Sequence, residues 1–178
     1  PIIHQNKEKA LQLAQSVIDN FDDLWNKKYY EMMLNKIGIK HNNKMLYPLV
    51  DELLYFMEKF NKDYNNTFWS LSQDDVLKNT LMNESTFILW QKKWKKNLNK
   101  FSSMEEAQDL MKKNNPIIIP RNHLVEEALE EAGNGNINSF QRLLHIISTP
   151  YQQQDSLEKF MKPPKASFEE NFQTYCGT

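Results

Sequence analysis

Apolar residues recur at steps of three and four along most of this chain, the spacing of a helix face rather than of a strand. Leu11, Ala14, Ile18, Phe21, Trp25, Tyr29 and Met32 form the first series and predict one long amphipathic helix. Gly38 stands where a left-handed C-cap would end it. A second helix is predicted with Leu46, Leu49, Val50, Leu53, Leu54, Met57 and Phe60 on one side, and a short one begins at Asp63 and carries Phe68, Trp69 and Leu71. Ser72-Gln73-Asp74-Asp75 reads as another helix start, with Asp75 in the reciprocal capping position. Phe87, Trp90, Trp94, Leu98 and Phe101 make the next stripe. Ser103 and Glu106 form a capping box ahead of Ala107, Leu110 and Met111, and Asn114-Asn115-Pro116 ends that helix, because the residue before proline disfavours helical backbone.

Ile117-Ile118-Ile119 is the one strand-like run. Proline brackets it on both sides, so it is predicted to be an extended connector rather than a sheet strand. Asn122 can then cap a helix carrying Leu124, Val125, Ala128, Leu129 and Ala132. Gly133-Asn134-Gly135 stops it, and Asn136 can cap the next, with Ile137, Phe140, Leu143, Leu144 and Ile147. Two helices joined this tightly form a helical hairpin, which Pro150 ends. After Phe160 no period is evident, and no internal repeat is present. The expected architecture is all-α, a multi-helix bundle with an extended proline-bracketed connector and an irregular C-terminal tail. Its parts are a helical bundle over 1–114, the connector and hairpin of the same domain over 115–150, and the tail over 151–178.

Composition narrows the function classes. The 178 residues fit one domain, and 40% hydrophobic with 25% charged residues is ordinary for a globular chain. Only 4 glycines argue against a strand-rich fold or one with a Gly-rich nucleotide loop. A net charge of -1 supplies no global field for nucleic acid or an anionic membrane. One cysteine allows no internal disulfide and no cysteine-based metal site. No apolar run reaches the roughly 18 residues of a membrane span, and no signal-peptide pattern opens the chain, so cytoplasmic chemistry is expected. The chain starts at Pro1 without Met and reads as a piece of something longer.

The candidate chemistries are sparse. Lys92, Lys93, Lys95, Lys96 and Lys100 beside Trp90 and Trp94 have the composition of a single-strand nucleic-acid stripe. Helical spacing instead puts Trp90 and Trp94 on the apolar face with Phe87 and Leu98, and Lys92, Lys93, Lys96 and Lys100 opposite, so a solvated basic face is the reading and nucleic acid is not an expected partner. His4, His41, His123 and His145 form no i, i+4 pair, and His123 with Glu126 makes two ligands at most, too few for zinc, so no metal site is expected. Adjacent carboxylates such as Asp22-Asp23, Asp74-Asp75 and Glu105-Glu106 point apart on a helix and face solvent, while Glu126 and Glu130 share a face and can meet Arg121 or Arg142. No GxGxxG, GxxxxGK[ST], GxSxG, HRD or DFG motif occurs, so no catalytic residue is assigned. Pro120, Arg121, Asn122 and His123 have two readings. Pro120 sets an entry angle, Asn122 caps and Arg121 ties the loop to a neighbouring carbonyl or carboxylate, with docking onto another domain included; or the polar triplet faces a nucleotide pocket in a larger protein. Capping explains the residue types without a ligand. Cys176 is either a small residue packed under the tail or a reactive thiol on a mobile terminus.

The order Asn115-Pro116, Pro120-Arg121-Asn122-His123, Glu126-Glu127-Ala128, Gly133-Asn134-Gly135 and Pro150-Tyr151, followed by Pro163-Pro164 and Cys176-Gly177-Thr178, resembles the C-terminal end of the selenoprotein O, or YdiU-like, family. Trp25 through Lys36-Ile37-Gly38, Asp51-Glu52-Leu53-Leu54 and Asp63-Tyr64 are similar, more loosely, to the helices before it. The resemblance implies a pseudokinase-like fold in the whole protein, transferring AMP from ATP to protein hydroxyls with ATP and Mg. It implies that the ATP- and metal-binding half would lie N-terminal, so nothing catalytic carries over. It also implies a redox role for Cys176, because members place a cysteine or selenocysteine near the C-terminus. The expectation is a helical region that buttresses the catalytic core, supplies a redox cysteine tail and is inactive alone, with the missing N-terminal catalytic region as partner and a homodimer of the fragment possible. The alternatives are a stand-alone helical interaction domain, or a weak single-stranded nucleic-acid binder through the Lys92–Lys100 face. With 12% aromatic residues, including Trp25, Trp69, Trp90 and Trp94, a chain fitted to a larger core would leave apolar surface bare, with Pro116–His123 expected as one wall.

Overall fold

The computed structural model describes residues 2–73 and 85–173. It is built of helices: α1 Lys7–Asp19, α2 Phe21–Lys36, a 3-10 turn Lys44–Leu46 leading into α3 Tyr47–Lys59, α4 Tyr64–Leu71, α5 Ser85–Leu98, α6 Met104–Asn114, α7 Asn122–Gly133, α8 Asn138–Ser148, α9 Glu158–Met161 and α10 Ala166–Asn171. No strand occurs among the described residues. The fold is all-α.

The main core gathers the second half of α2 (Met33, Leu34), Ile37 and Ile39 after it, Leu49, Val50, Leu53, Phe56 and Met57 of α3, Phe68 and Leu71 of α4, Phe87, Trp90, Trp94 and Leu98 of α5, and Ala107 and Met111 of α6. The aromatic seam of α5 is its centre. Trp90 and Trp94 stack with ring centroids 5.6 Å apart. Their indole N–H groups donate to backbone carbonyls, Trp90 to Leu49 and Trp94 to Ile37, each at 2.8 Å. Ile37 caps the C-terminus of α2, so Trp94 satisfies a carbonyl that the end of the helix leaves without an intrahelical partner. Lys92, Lys93, Lys96 and Lys100 lie on the exposed side, and Lys93 pairs with Glu52 of α3 at 2.9 Å.

Gly38 ends α2 in the left-handed region, at φ +79. Its N–H bonds to the Asn35 carbonyl at 3.1 Å and the Ile39 N–H to the Leu34 carbonyl at 2.9 Å, the paired bonds of a Schellman cap. It is also a point of close approach, since a Cβ there would lie 2.9 Å from the Ala107 Cβ on α6. The Ser103–Glu106 capping box opens α6 with both of its bonds in place. Asn115 follows in extended backbone, at φ -122 and ψ 109, as its position before Pro116 requires.

The connector 117–120 is neither helix nor strand, but it is not bare. Ile117 and Ile118 are buried and form a second core with Ile146 of α8 and Leu157, against which Trp69, Ile147, Phe160 and Met161 pack. Both isoleucine N–H groups bond to the Pro150 carbonyl, at 2.8 and 3.4 Å. The expectation that Pro116–His123 walls an open apolar groove is therefore corrected: the hairpin end and the tail close over it. Leu124, Ala128 and Leu143 make a smaller core within the α7–α8 hairpin. The tail is more ordered than its sequence pattern implied, because Leu157 and Phe160 anchor α9 to these two cores.

The first predicted helix differs most. It is interrupted at Asn20, where side chains compete for backbone carbonyls: the Ser16 hydroxyl donates to Leu13 at 2.9 Å and the Asn20 amide to Ser16 at 2.6 Å. Its apolar face is not a core face. No residue of α1 is buried, and Leu11, Ile18, Trp25 and Met32 are 63%, 65%, 52% and 46% exposed. Trp25 only stacks on Tyr29, at 4.9 Å.

Candidate functional site

Of the residues singled out at Pro120–His123, Arg121 reaches the N-terminus of α4. Asp63 is the N-cap of that helix, and its Oδ1 accepts the Asn66 N–H at 2.8 Å. The Arg121 guanidinium closes on the same carboxylate as a fork, Nη1 to Oδ2 at 2.8 Å and Nη2 to Oδ1 at 3.0 Å. The Arg121 side chain is 6% exposed and that of Asp63 21%. Burial pushes the Asp63 carboxyl up, but the hydrogen bonds from Arg121 and Asn66 and the Arg121 charge outweigh it, leaving the group below its ordinary value. Two asparagines of α4 complete the junction. Asn65 donates to the Ile117 carbonyl of the connector at 3.2 Å, and Asn66 to the Met161 carbonyl of the tail at 2.9 Å.

Asn122 does not cap α7. Arg121 holds the extended half-in position, at φ -91 and ψ 130, and its carbonyl accepts the first helical N–H groups, so Asn122 falls inside the first turn. The chain must stay extended through Arg121 for the guanidinium to reach Asp63, and this shifts the helix start by one residue. His123 turns toward the tail, with its ring 5.9 Å from Phe168 and edge-on to it. Burial and the nearby Arg121 and Lys159 charges push its pKa down against the pull of Glu127. Its Nδ1 is enclosed without a hydrogen-bond partner. The expected partners of Glu126 and Glu130 are elsewhere: Arg121 is taken by Asp63, and Arg142 donates to the Asp155 backbone carbonyl at 3.0 Å.

A second stitch lies beside the first. Lys36 at the end of α2 donates to the Asn114 carbonyl at 3.1 Å and to Asn115 Oδ1 at 3.3 Å, while the Asn115 amide returns a bond to the Lys36 carbonyl at 2.8 Å. Burial lowers the Lys36 pKa, and its ammonium sits 5.4 Å from the centre of the Phe68 ring and 5.8 Å from that of Tyr64. The two stitches fix the connector to α2 and α4. Sequence reasoning missed Asn65 and Asn66; two adjacent asparagines within an otherwise apolar turn of helix were the available signal, since such side chains disfavour helix interiors unless they bond elsewhere.

This constellation ties the connector and the tail to α4. Both Asp63 oxygens are occupied, and among the described residues no three His, Cys, Asp or Glu side chains come together to hold a metal. Among the described residues no helix is long and apolar enough to cross a membrane. Cys176 and Asp74-Asp75 lie outside the described residues. Ser72, read as the start of a helix, closes α4 instead, its hydroxyl donating to the Trp69 carbonyl at 2.7 Å.

Comparison with known proteins resolves the lineage. The family described as Protein adenylyltransferase SelO matches residues 3–148. The chain belongs to this family. The Protein nucleotidyltransferase YdiU of Bacillus cereus (strain AH820) is 40% identical over 180 residues, an alignment covering 100% of this chain and 37% of that protein. Proteins of the same name from Bacillus thuringiensis (strain Al Hakam) and Bacillus anthracis are 39% and 38% identical with the same coverage. The chain thus spans 37% of the length of these SelO-family relatives. The SelO match takes in α1 to α8, including the exposed α1–α2 face and both stitches.

Proposed function

We propose that this chain is the C-terminal helical region of a SelO-type protein adenylyltransferase, buttressing a catalytic region that lies outside it and transferring nothing by itself. The observation that supports this is the combination of a family match over residues 3–148 with coverage of only 37% of relatives named nucleotidyltransferases. The site geometry agrees with it, since Asp63, Arg121, Asn65 and Asn66 bond within the chain to hold the connector and the tail. In this reading ATP and Mg serve the longer protein, in the cytoplasm, and the acceptors are protein hydroxyls. Isothermal titration with Mg-ATP and incubation with labelled ATP test it. No heat of binding and no label on the chain or on added proteins are expected; micromolar affinity or label incorporation overturns the reading.

Cys176 is the second element of the proposal. It supplies a redox-active thiol near the end of the chain, past Pro163-Pro164 and with no hydrophobic period around it. A thiol reagent is expected to modify it in native protein nearly as fast as in denaturant. Protection by roughly a thousandfold, equivalent to about 4 kcal/mol, removes the redox-tail role.

A further inference from the structure

Helix α1 is an amphipathic helix whose apolar face is left unburied among the described residues. Ala10, Leu11, Ala14, Val17 and Ile18 share its apolar side, and none of its residues is buried. The face continues past Asn20 into α2 through Phe21, Leu24 and Trp25, which are 57%, 58% and 52% exposed. Among the described residues the substantial packing of α1 is with its neighbour α2. A helix of 13 residues is marginal in water from its backbone bonds alone, and in a folded protein such a helix is held by burial of its apolar face. The SelO match begins at residue 3 and so covers this face.

The charges around the face discriminate among occupants. Between Lys7 and Met32 the chain carries Glu8, Asp19, Asp22, Asp23 and Glu31 against Lys7, Lys9, Lys27 and Lys28. This near balance is unlike the basic face of a helix that lies on anionic lipid, and it gives no footprint for nucleic acid. It suits an apolar protein surface with a mixed polar rim. The relatives have further polypeptide to cover it, since most of their length lies outside the aligned 37%.

We infer that the α1–α2 face, from Leu11 through Ile18 to Trp25, is the surface on which the remaining polypeptide of a SelO-type protein docks, an intramolecular interface for an apolar face of the catalytic region. This inference rests on the proposed function and names the contact through which buttressing occurs. Among the described residues no residue of α1 belongs to the bundle core.

Amide hydrogen exchange on two proteins tests it: this chain alone, and the whole Bacillus cereus relative. In the chain, amides of residues 7–25 are expected to exchange at least about a hundredfold faster than those of α3 and α5. In the whole relative the aligned segment is expected to be protected to the level of the aligned core. A second measurement uses Leu11→Asp with Ile18→Asp. The double change is expected to leave the thermal midpoint of this chain within about 1 °C, and at the aligned positions to lower that of the whole relative by several degrees. Fast exchange of the segment in the whole relative overturns the inference while leaving the buttressing role to another face. Protection of 7–25 in this chain that disappears on hundredfold dilution assigns the face to a second copy and also overturns it. Label transfer by the chain alone overturns the proposed function and does not bear on the exchange result.

Discussion

Asp63 and Arg121 carry more of this structure than any other charged pair, because one is the N-cap of α4 and the other the last extended residue before α7. Arg121→Met leaves a largely buried carboxylate without its counter-ion, and a loss of roughly 3 kcal/mol is expected in urea unfolding. The pH dependence follows from the same pair. The folded Asp63 pKa lies below its ordinary 3.8, so the folded state favours the charged form. That stabilisation is fully present above the unfolded value and is lost as pH falls through the folded one. Asp63→Asn should therefore flatten the stability profile below about pH 4, and in Arg121→Met, where burial, the largest influence on the carboxyl, is opposed only by the Asn66 N–H bond, its contribution should reverse sign. An unchanged acid limb in both variants contradicts the assignment.

At the scale of elements, burial decides what each helix is worth. Trp94 is buried, stacked and bonded to Ile37, so Trp94→Ala is expected to cost about 4 kcal/mol. Lys96→Ala, on the exposed side of the same helix, should stay within about 0.5 kcal/mol; thermal or urea unfolding of both variants measures the contrast. This division of α5 was legible in the chain, since period and charge agree along the whole helix. So were the Gly38 cap, the Ser103–Glu106 box and the helix stop at Pro116, where one residue type meets a local backbone demand. The α1–α2 stripe shows where that reasoning stops. Its period gave one long helix with an apolar face where the structure has two, and period cannot tell a face that meets its own chain from one that meets another. The connector misled in the opposite sense: Ile117 and Ile118 lie between prolines, yet Pro150, about thirty residues on in sequence, supplies the carbonyl that pairs them. The Asp63–Arg121 junction shows the same limit, since local pattern marked both residues as unusual without showing that they meet.

At the scale of the whole molecule, α2 ends in the bundle core, while α1 and the start of α2 carry an apolar face that stays largely exposed among the described residues. The chain aligns in full with 37% of relatives that are named nucleotidyltransferases. The central claim is that this region supports nucleotide transfer from outside the catalytic site. The direct measurement is nucleotide transfer to protein by the whole Bacillus cereus relative, by the same protein lacking the segment aligned here, and by a chimera in which this chain replaces that segment. The account predicts transfer by the whole protein, loss in the truncated one and recovery in the chimera. A truncated protein that transfers as fast as the whole one contradicts it.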